Sequence, residues 1–132
     1  MKLVELEPVF VRFETRVETW TRCIGSDWKH GDPVEHVTGP REYSIRVSTL
    51  AEAQGIRFLC PACFTKNGGP VGTHGVEVAF HEREVLPNQG SHGSDGGPSR
   101  WHVAGDSFDN LTLTPSIDGG CWHGYVTHGE IR

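Results

Sequence analysis

The sequence predicts a mainly β fold of the small α+β class, built from antiparallel β-sheets with one short helix. Three observations predict it. Apolar and polar residues alternate with period two along several segments. Glycine and proline are abundant, at 17 and 8 of 132 residues, a composition of strands and tight turns rather than long helices. Only one short stretch carries both a helix start signal and a stop signal. The length fits one domain spanning residues 1–132, with an apolar fraction of 36% that supports a modest core. A core that thin, with many turns, invites a covalent or metal staple.

The elements follow in order. Residues 9–20 read as a strand, with Val9, Val11, Phe13 and Val17 on one side and Arg12, Glu14, Arg16 and Glu18 on the other. Pro8 marks its start, and its length suggests a bend or break near Thr15. Gly25, Gly31, Pro33, Gly39 and Pro40 make residues 25–41 an irregular loop. Tyr43, Ile45 and Val47 alternate with Ser44 and Arg46 as another strand. Thr49-Leu50-Ala51-Glu52 fits a capping box with Gly55 as the stop, which predicts about two helical turns. Ile56 to Cys60 runs as a strand into Cys60-Pro61-Ala62-Cys63. The stretch from Phe64 is not expected to extend a helix, and Asn67-Gly68-Gly69-Pro70 is turn chemistry. Val76, Val78 and Phe80 form a strand. Pro87 to Arg100 is a mobile surface loop by composition. Trp101–Val103, Leu111–Thr114, Tyr125–Thr127 and Glu130–Ile131 are short strands. The sequence shows neither internal repeat nor domain boundary.

A formal net charge of −5 argues against an extended basic face for a nucleic-acid backbone, and Arg12, Arg16, Arg22 and Lys29 are too sparse to supply one. Met1 to Pro8 carries acidic residues where a secretory signal needs an apolar run. No apolar stretch approaches the ~20 residues that cross a bilayer. The expected compartment is the cytoplasm, where thiols stay reduced and four cysteines suggest metal more than disulfides.

Cys60-Pro61-Ala62-Cys63 is a CxxC knuckle at a strand end, where a tight turn brings two thiolates to one point. The rival reading, a thioredoxin-like redox pair, wants a long helix in a βαβ unit after the knuckle. Zinc takes four tetrahedral nitrogen and sulfur donors, so a second pair is needed. Gly119-Gly120-Cys121-Trp122-His123-Gly124 supplies it. Cys121 and His123 are two apart and share a side of an extended segment, and Trp122 points toward the core. The expected site is a structural Zn²⁺ held by Cys60, Cys63, Cys121 and His123, with His74 as the substitute fourth ligand. Interior packing is the plain alternative for Cys121 and His123. Cys23 has no partner nearby and reads as a free thiol. His30, His36, His92 and His128 lie in turn-rich stretches and read as solvated, while His81 and His102 read as cross-strand neighbours.

Phe58-Leu59-Cys60-Pro61-Ala62-Cys63-Phe64, Asn67 to Gly75, and Gly119-Gly120-Cys121-Trp122-His123-Gly124-Tyr125-Val126-Thr127 together resemble a family of small phage and prophage zinc-ribbon-like proteins often mislabelled "ammonia monooxygenase". Gly39 to Tyr43 and Leu50 to Gly55 extend the resemblance over most of the chain. It implies a phage-encoded, compact metal-binding β domain in the host cytoplasm, and no established reaction. That family's pattern has one more residue between the last Cys and the Trp-His pair, which weakens His123 as a ligand and strengthens His74. The oxygenase label finds no support, since copper monooxygenase subunits are membrane proteins.

Two function classes follow. A closed, thiolate-rich zinc site is the structural kind, which favours a non-enzymatic interaction module with a host or phage protein partner, in host takeover or defence evasion. Trp20, Trp28 or Trp101 could anchor such a partner. The alternative is a metal-dependent hydrolase or nucleic-acid-processing enzyme with an open site of Cys60, Cys63, Cys121 and water. The H/C-x-E signature of zinc deaminases does not precede Cys60.

Overall fold

The computed structural model describes residues 1–24, 33–93 and 95–132. Its longest elements are β1 (Val9–Cys23) and β2 (Val34–Val47), an antiparallel hairpin paired from Phe10 opposite Val47 to Cys23 opposite Val34. β3 (Gly55–Leu59) pairs with the other side of β1, and β4 (Gly75–Ala79) pairs with β3. The first sheet therefore has the order β2-β1-β3-β4. β5 (His102–Ala104), β6 (Thr112–Asp118), β7 (His123–Thr127) and β8 (Glu130–Ile131) form the second, in sequential order. Among the described residues the named strands all pair antiparallel, and one short helix, α1 (Pro61–Asn67), joins β3 to β4. The mainly β class read from the sequence is the class observed. No helix among the described residues is long and apolar enough to cross a membrane.

The core lies between the sheets. Phe10, Ile56, Phe58, Val78 and Phe80 come from one side, and Leu111, Leu113, Ile117 and Val126 from the other. Leu3 and Leu6, on a 3-10 turn (Leu3–Leu6), complete it and are fully buried. In β3 and β4 the period-two pattern holds, so Ile56, Phe58, Val76 and Val78 face inward while Arg57 stays out. Burying each large apolar side chain contributes about 1.5–3 kcal/mol.

The first sheet is full width only at its base. β3 meets β1 at Val9 to Val11, opposite Arg57 to Gly55. The buried Gln54 then stands in for the missing ladder, accepting from the Phe13 N–H at 2.8 Å and donating to the Arg83 carbonyl at 3.0 Å. Beyond that point β1 and β2 continue as a two-stranded arm. Val17 is 76% exposed there, although its side chain lies in phase with buried Val11.

Several expectations need correction. β1 is unbroken through Thr15, because β2 pairs with it throughout. Residues 34–41 are strand rather than loop. Gly39 and Pro40 pair opposite Glu18 and Val17 without interrupting the hairpin. Residues 25–32 of that expected loop, with Trp28, Lys29 and His30, lie outside the described residues. Only half of the Thr49 capping box forms, the Glu52 N–H donating to Thr49 Oγ1 at 3.3 Å while the Thr49 hydroxyl donates to the Glu52 carboxylate, and it closes a turn with no helix following. Gly55 opens β3 instead of ending a helix.

The helix forms instead at Pro61–Asn67, where none was expected. Pro61 sits in the first turn, where its missing N–H costs nothing. Gly68 ends the helix with φ 69°, a left-handed conformation suited to glycine.

The segment Pro87 to Arg100, Ser94 lying outside the described residues, is a surface loop whose residues are mostly exposed, but it is tied down at two points. Gln89 is buried. The Arg100 guanidinium donates to the carbonyls of Leu86, Gln89, Ser91 and Ser99. Burial lowers the Arg100 pKa from its ordinary value.

Candidate metal centre

The register of the β3–β4 hairpin sets the site. Phe58 faces Val76 and Leu59 faces Gly75. One residue further, Cys60 stands opposite His74, and its N–H donates to the His74 carbonyl at 2.9 Å. Residues opposite one another on antiparallel strands share a face, with Cβ atoms roughly 5 Å apart. Cys60 is also the N-cap of α1, so the first turn of the helix brings Cys63 back toward it. The potential ligand atoms of Cys60, Cys63 and His74 lie within 4.8 Å of one another. This cluster could hold a metal ion.

Cys121 arrives from the second sheet, on the turn between β6 and β7. The Gly119 N–H donates to the Trp122 carbonyl at 2.7 Å and closes the turn. Gly119 lies so close to β4 that a Cβ there would stand 3.0 Å from Val76 Cγ2. Trp122 meets the ring of Phe58 edge to face, with centroids 6.0 Å apart and an interplanar angle of 79°. As expected, Trp122 packs toward the core. The turn is thus pinned against β3 and β4, which carries Cys121 near Cys63 but outside the group formed by Cys60, Cys63 and His74.

His123 is placed differently. β7 begins at His123, so Cys121 is still in the turn and the parity of an extended strand does not apply to the pair. Across the sheet His123 faces Asp118, and its Nε2 lies 3.1 Å from Ser116 Oγ. It lines a cleft of about 380 Å³ shared with Glu77, His92 and Trp101. His74, held in the sequence as the substitute, is the histidine that joins Cys60 and Cys63.

The chemistry of the donors fits a soft or borderline divalent cation. The Cys63 thiol is pushed up to about 11. The largest cause is the side-chain hydrogen bond with Cys121, then burial, then the hydrogen bond and charge of Cys60. Thiols crowded at one point resist ionising together, and a bound cation supplies the positive charge that reverses this. His74 Nδ1 lies 3.2 Å from the Gly75 carbonyl, which can only accept, so Nδ1 carries the proton. In the neutral ring the lone pair is then on Nε2, free to bind a cation. Cys60 is fully buried, Cys63 half-buried, and His74 and Cys121 exposed, so the cluster sits at the edge of the core.

The same geometry argues against a thioredoxin-like pair. The helix after the knuckle has seven residues, and β4 runs antiparallel to β3. A βαβ crossover requires parallel strands. Cys23 lies at the far end of the described arm, away from the cluster. His81 and His102 stack with centroids 4.2 Å apart, the neighbours the sequence suggested. Trp101 is core, its Nε1 donating to the Ser116 carbonyl, and is no free anchor.

Comparison of the chain with protein-family models, with curated proteins and with solved structures finds no match.

Proposed function

We propose that this chain is a small zinc-binding interaction module, its Zn²⁺ held by Cys60, Cys63, Cys121 and His74 in a structural role. The observation that carries the reading is the convergence of a thiol pair and a histidine from the β3–α1–β4 unit; Cys121, on a turn of the opposite sheet pinned against β3 and β4, is the thiol nearest to complete the set. Three sulfurs and one nitrogen fill the tetrahedral shell of zinc and leave no position for substrate. A metal there ties the two sheets together at an edge the core does not cover. The resemblance to small phage zinc-ribbon-like proteins supports a role in the host cytoplasm, binding a host or phage protein in takeover or defence evasion.

Elemental analysis and zinc X-ray absorption of protein purified without chelator test the reading. One zinc per chain with three sulfur and one nitrogen neighbours is expected. Metal-free protein with a full cooperative melting transition would remove the structural role. A second reading, a hydrolase with a three-cysteine site and bound water, draws on the position of His123 in a cleft beside Ser116, outside the cluster. It requires a zinc with oxygen in its first shell, which the same absorption measurement distinguishes.

A further inference from the structure

We propose that His81 and His102 form a second metal site, a two-imidazole clamp for a late divalent transition ion, separate from the cysteine cluster. The backbone builds the pair. The Trp101 N–H donates to the Ala79 carbonyl at 2.9 Å, and the His81 N–H donates to the Trp101 carbonyl at 2.8 Å. These two bonds make a parallel bridge between Phe80 and Trp101, and His81 and His102 are the next pair along it. Phe80 and Trp101 are buried, and side chains alternate along an extended chain, so the two histidines turn outward together. Both are exposed.

The imidazoles lie side by side, with centroids 4.2 Å apart and planes 12° apart. An imidazole nitrogen sits about 2.0–2.1 Å from a zinc-sized ion, so two nitrogens on one ion stand at most about 4 Å apart. The terminal torsion of histidine is broad, and neither ring is packed in, so each can turn its lone pair toward a shared ion. The rings of His36, His74, His92 and His123 each meet a protein oxygen, whereas those of His81 and His102 meet each other. Arg83 holds its guanidinium over the Phe80 ring and donates to the carbonyls of Leu50 and Ala53. Its charge is thus drawn to the Phe80 side of the chain, away from the histidine side. Two nitrogen donors, with water in the remaining positions, suit nickel, copper or zinc and not the oxygen-seeking calcium or magnesium.

The placement gives such an ion something to hold. His81 follows β4 of the first sheet, and His102 opens β5 of the second. His74, at the other end of β4, belongs to the cysteine cluster. The stretch from His74 to His81 spans about 23 Å when extended, so the two sites are distinct. An ion on the histidine pair ties the two sheets at the far end of β4, whether or not the cysteine cluster holds zinc.

Nickel titrated into the full, untagged chain tests this. Calorimetry reads the affinity, and the histidine ring signals in NMR show where the paramagnetic ion sits. The signals of His81 and His102 should broaden together, before those of the other histidines. His81→Ala and His102→Ala each leave one imidazole, so each should raise the nickel Kd by more than about tenfold. Each should also abolish the rise in melting temperature that nickel gives the native chain. Without nickel, both variants should melt with the native chain, which separates a lost ligand from a lost fold. His128→Ala, on the turn between β7 and β8, should leave nickel binding unchanged. A native chain that binds no nickel overturns the proposal, as do single variants that keep the native affinity. Broadening of His74 in place of His81 and His102 overturns it too, since nickel would then have entered the cysteine cluster.

Discussion

The two ends of the first sheet are built on different physics. At the base, β3 and β4 bury Phe58, Val76 and Val78 against the second sheet, and a Cys/His cluster sits beside them. Along the arm, no sheet among the described residues backs β1 and β2, Asn88 and Gln89 reach only Glu42 and Thr15, and Val17, Val34 and Ile45 are exposed. The arm is held by its ladder and by cross-strand pairs. Arg41 lies over Trp20 at 4.9 Å, Arg16 lies over Tyr43 at 4.6 Å, and Arg22 pairs with Glu35. Such exposed pairs contribute about 0.2–1 kcal/mol each, whereas one buried aromatic contributes several times that. Stability is therefore concentrated at the base, and the arm presents surface.

That contrast can be tested from its strongest point downward. Structural zinc binds with about 10–16 kcal/mol in small modules, or on the order of 2.5–4 kcal/mol per ligand when divided among four. Cys60→Ser and Cys121→Ser should therefore abolish zinc content and the cooperative melting transition, while Cys23→Ser should leave both unchanged. Calorimetry with elemental analysis gives the answer, and damage by Cys23→Ser alone would reverse the assignment of stability to the base.

The histidines come next. His74→Ala should weaken zinc binding and lower the melting temperature, whereas His123→Ala should lose only its contact with Ser116, a change near 1 kcal/mol. Competition with a chromogenic chelator reads the difference, and equal effects would place both histidines at the metal.

Arg100→Ala should cost about 1.5–3 kcal/mol, since it leaves the carbonyls of Leu86, Gln89, Ser91 and Ser99 without their charged donor. Limited proteolysis should then cut between Pro87 and Arg100. Cleavage there in the native chain, at the same rate, would show that the segment is not held by Arg100.

The smallest effect belongs to the arm. Trp20→Ala should cost less than about 2 kcal/mol, because the ring is only half-buried and its named contact is a cation–π pair with Arg41. Phe58→Ala at the base should cost about 3–5 kcal/mol. Urea melts of the two variants compare the regions directly, and a greater loss at Trp20 would contradict the contrast.

The pH response separates the metal from the scaffold. The raised pKa of Cys63, about 11 against an ordinary thiol value near 9, means the folded metal-free chain holds that proton more tightly than the unfolded chain. That contribution is intact below about pH 9 and is lost as pH rises through 11. Zinc reverses the trend, since its ligands must be deprotonated, so the loaded protein should weaken on acidification. Melting curves across this range, with and without chelator, should diverge in opposite directions.

Much of this architecture was legible in the sequence. The alternation at Ile56 to Cys60 and at Val76 to Phe80 marked two strands with one face inward, because burial acts on side chains and strand parity is local. The knuckle Cys60-Pro61-Ala62-Cys63 is also local, and both thiols fell where a short turn brings them. Pro61 at the first turn and Gly68 after Asn67 are local signals for α1, but Asn67-Gly68-Gly69-Pro70 is equally turn chemistry and masks the helix before it. The length of β2 was hidden by Gly39 and Pro40, two strand breakers tolerated because Pro40 lies at an outward-facing position.

What the sequence determined by itself, then, is the mainly β class, the in-and-out pattern of the core strands and the thiol pair, all of which depend on neighbours a few residues apart. Only the tertiary structure decided which histidine meets those thiols and where the arm leaves the sheet. His74 is drawn in by the register that sets Phe58 against Val76, and the turn that carries Cys121 is placed by the packing of Trp122 on Phe58. The arm begins where β3 runs out of residues to pair with β1 after Val11. Register, sheet packing and strand overlap are relations between distant segments, fixed by which faces bury together, and no local pattern of residues specifies them.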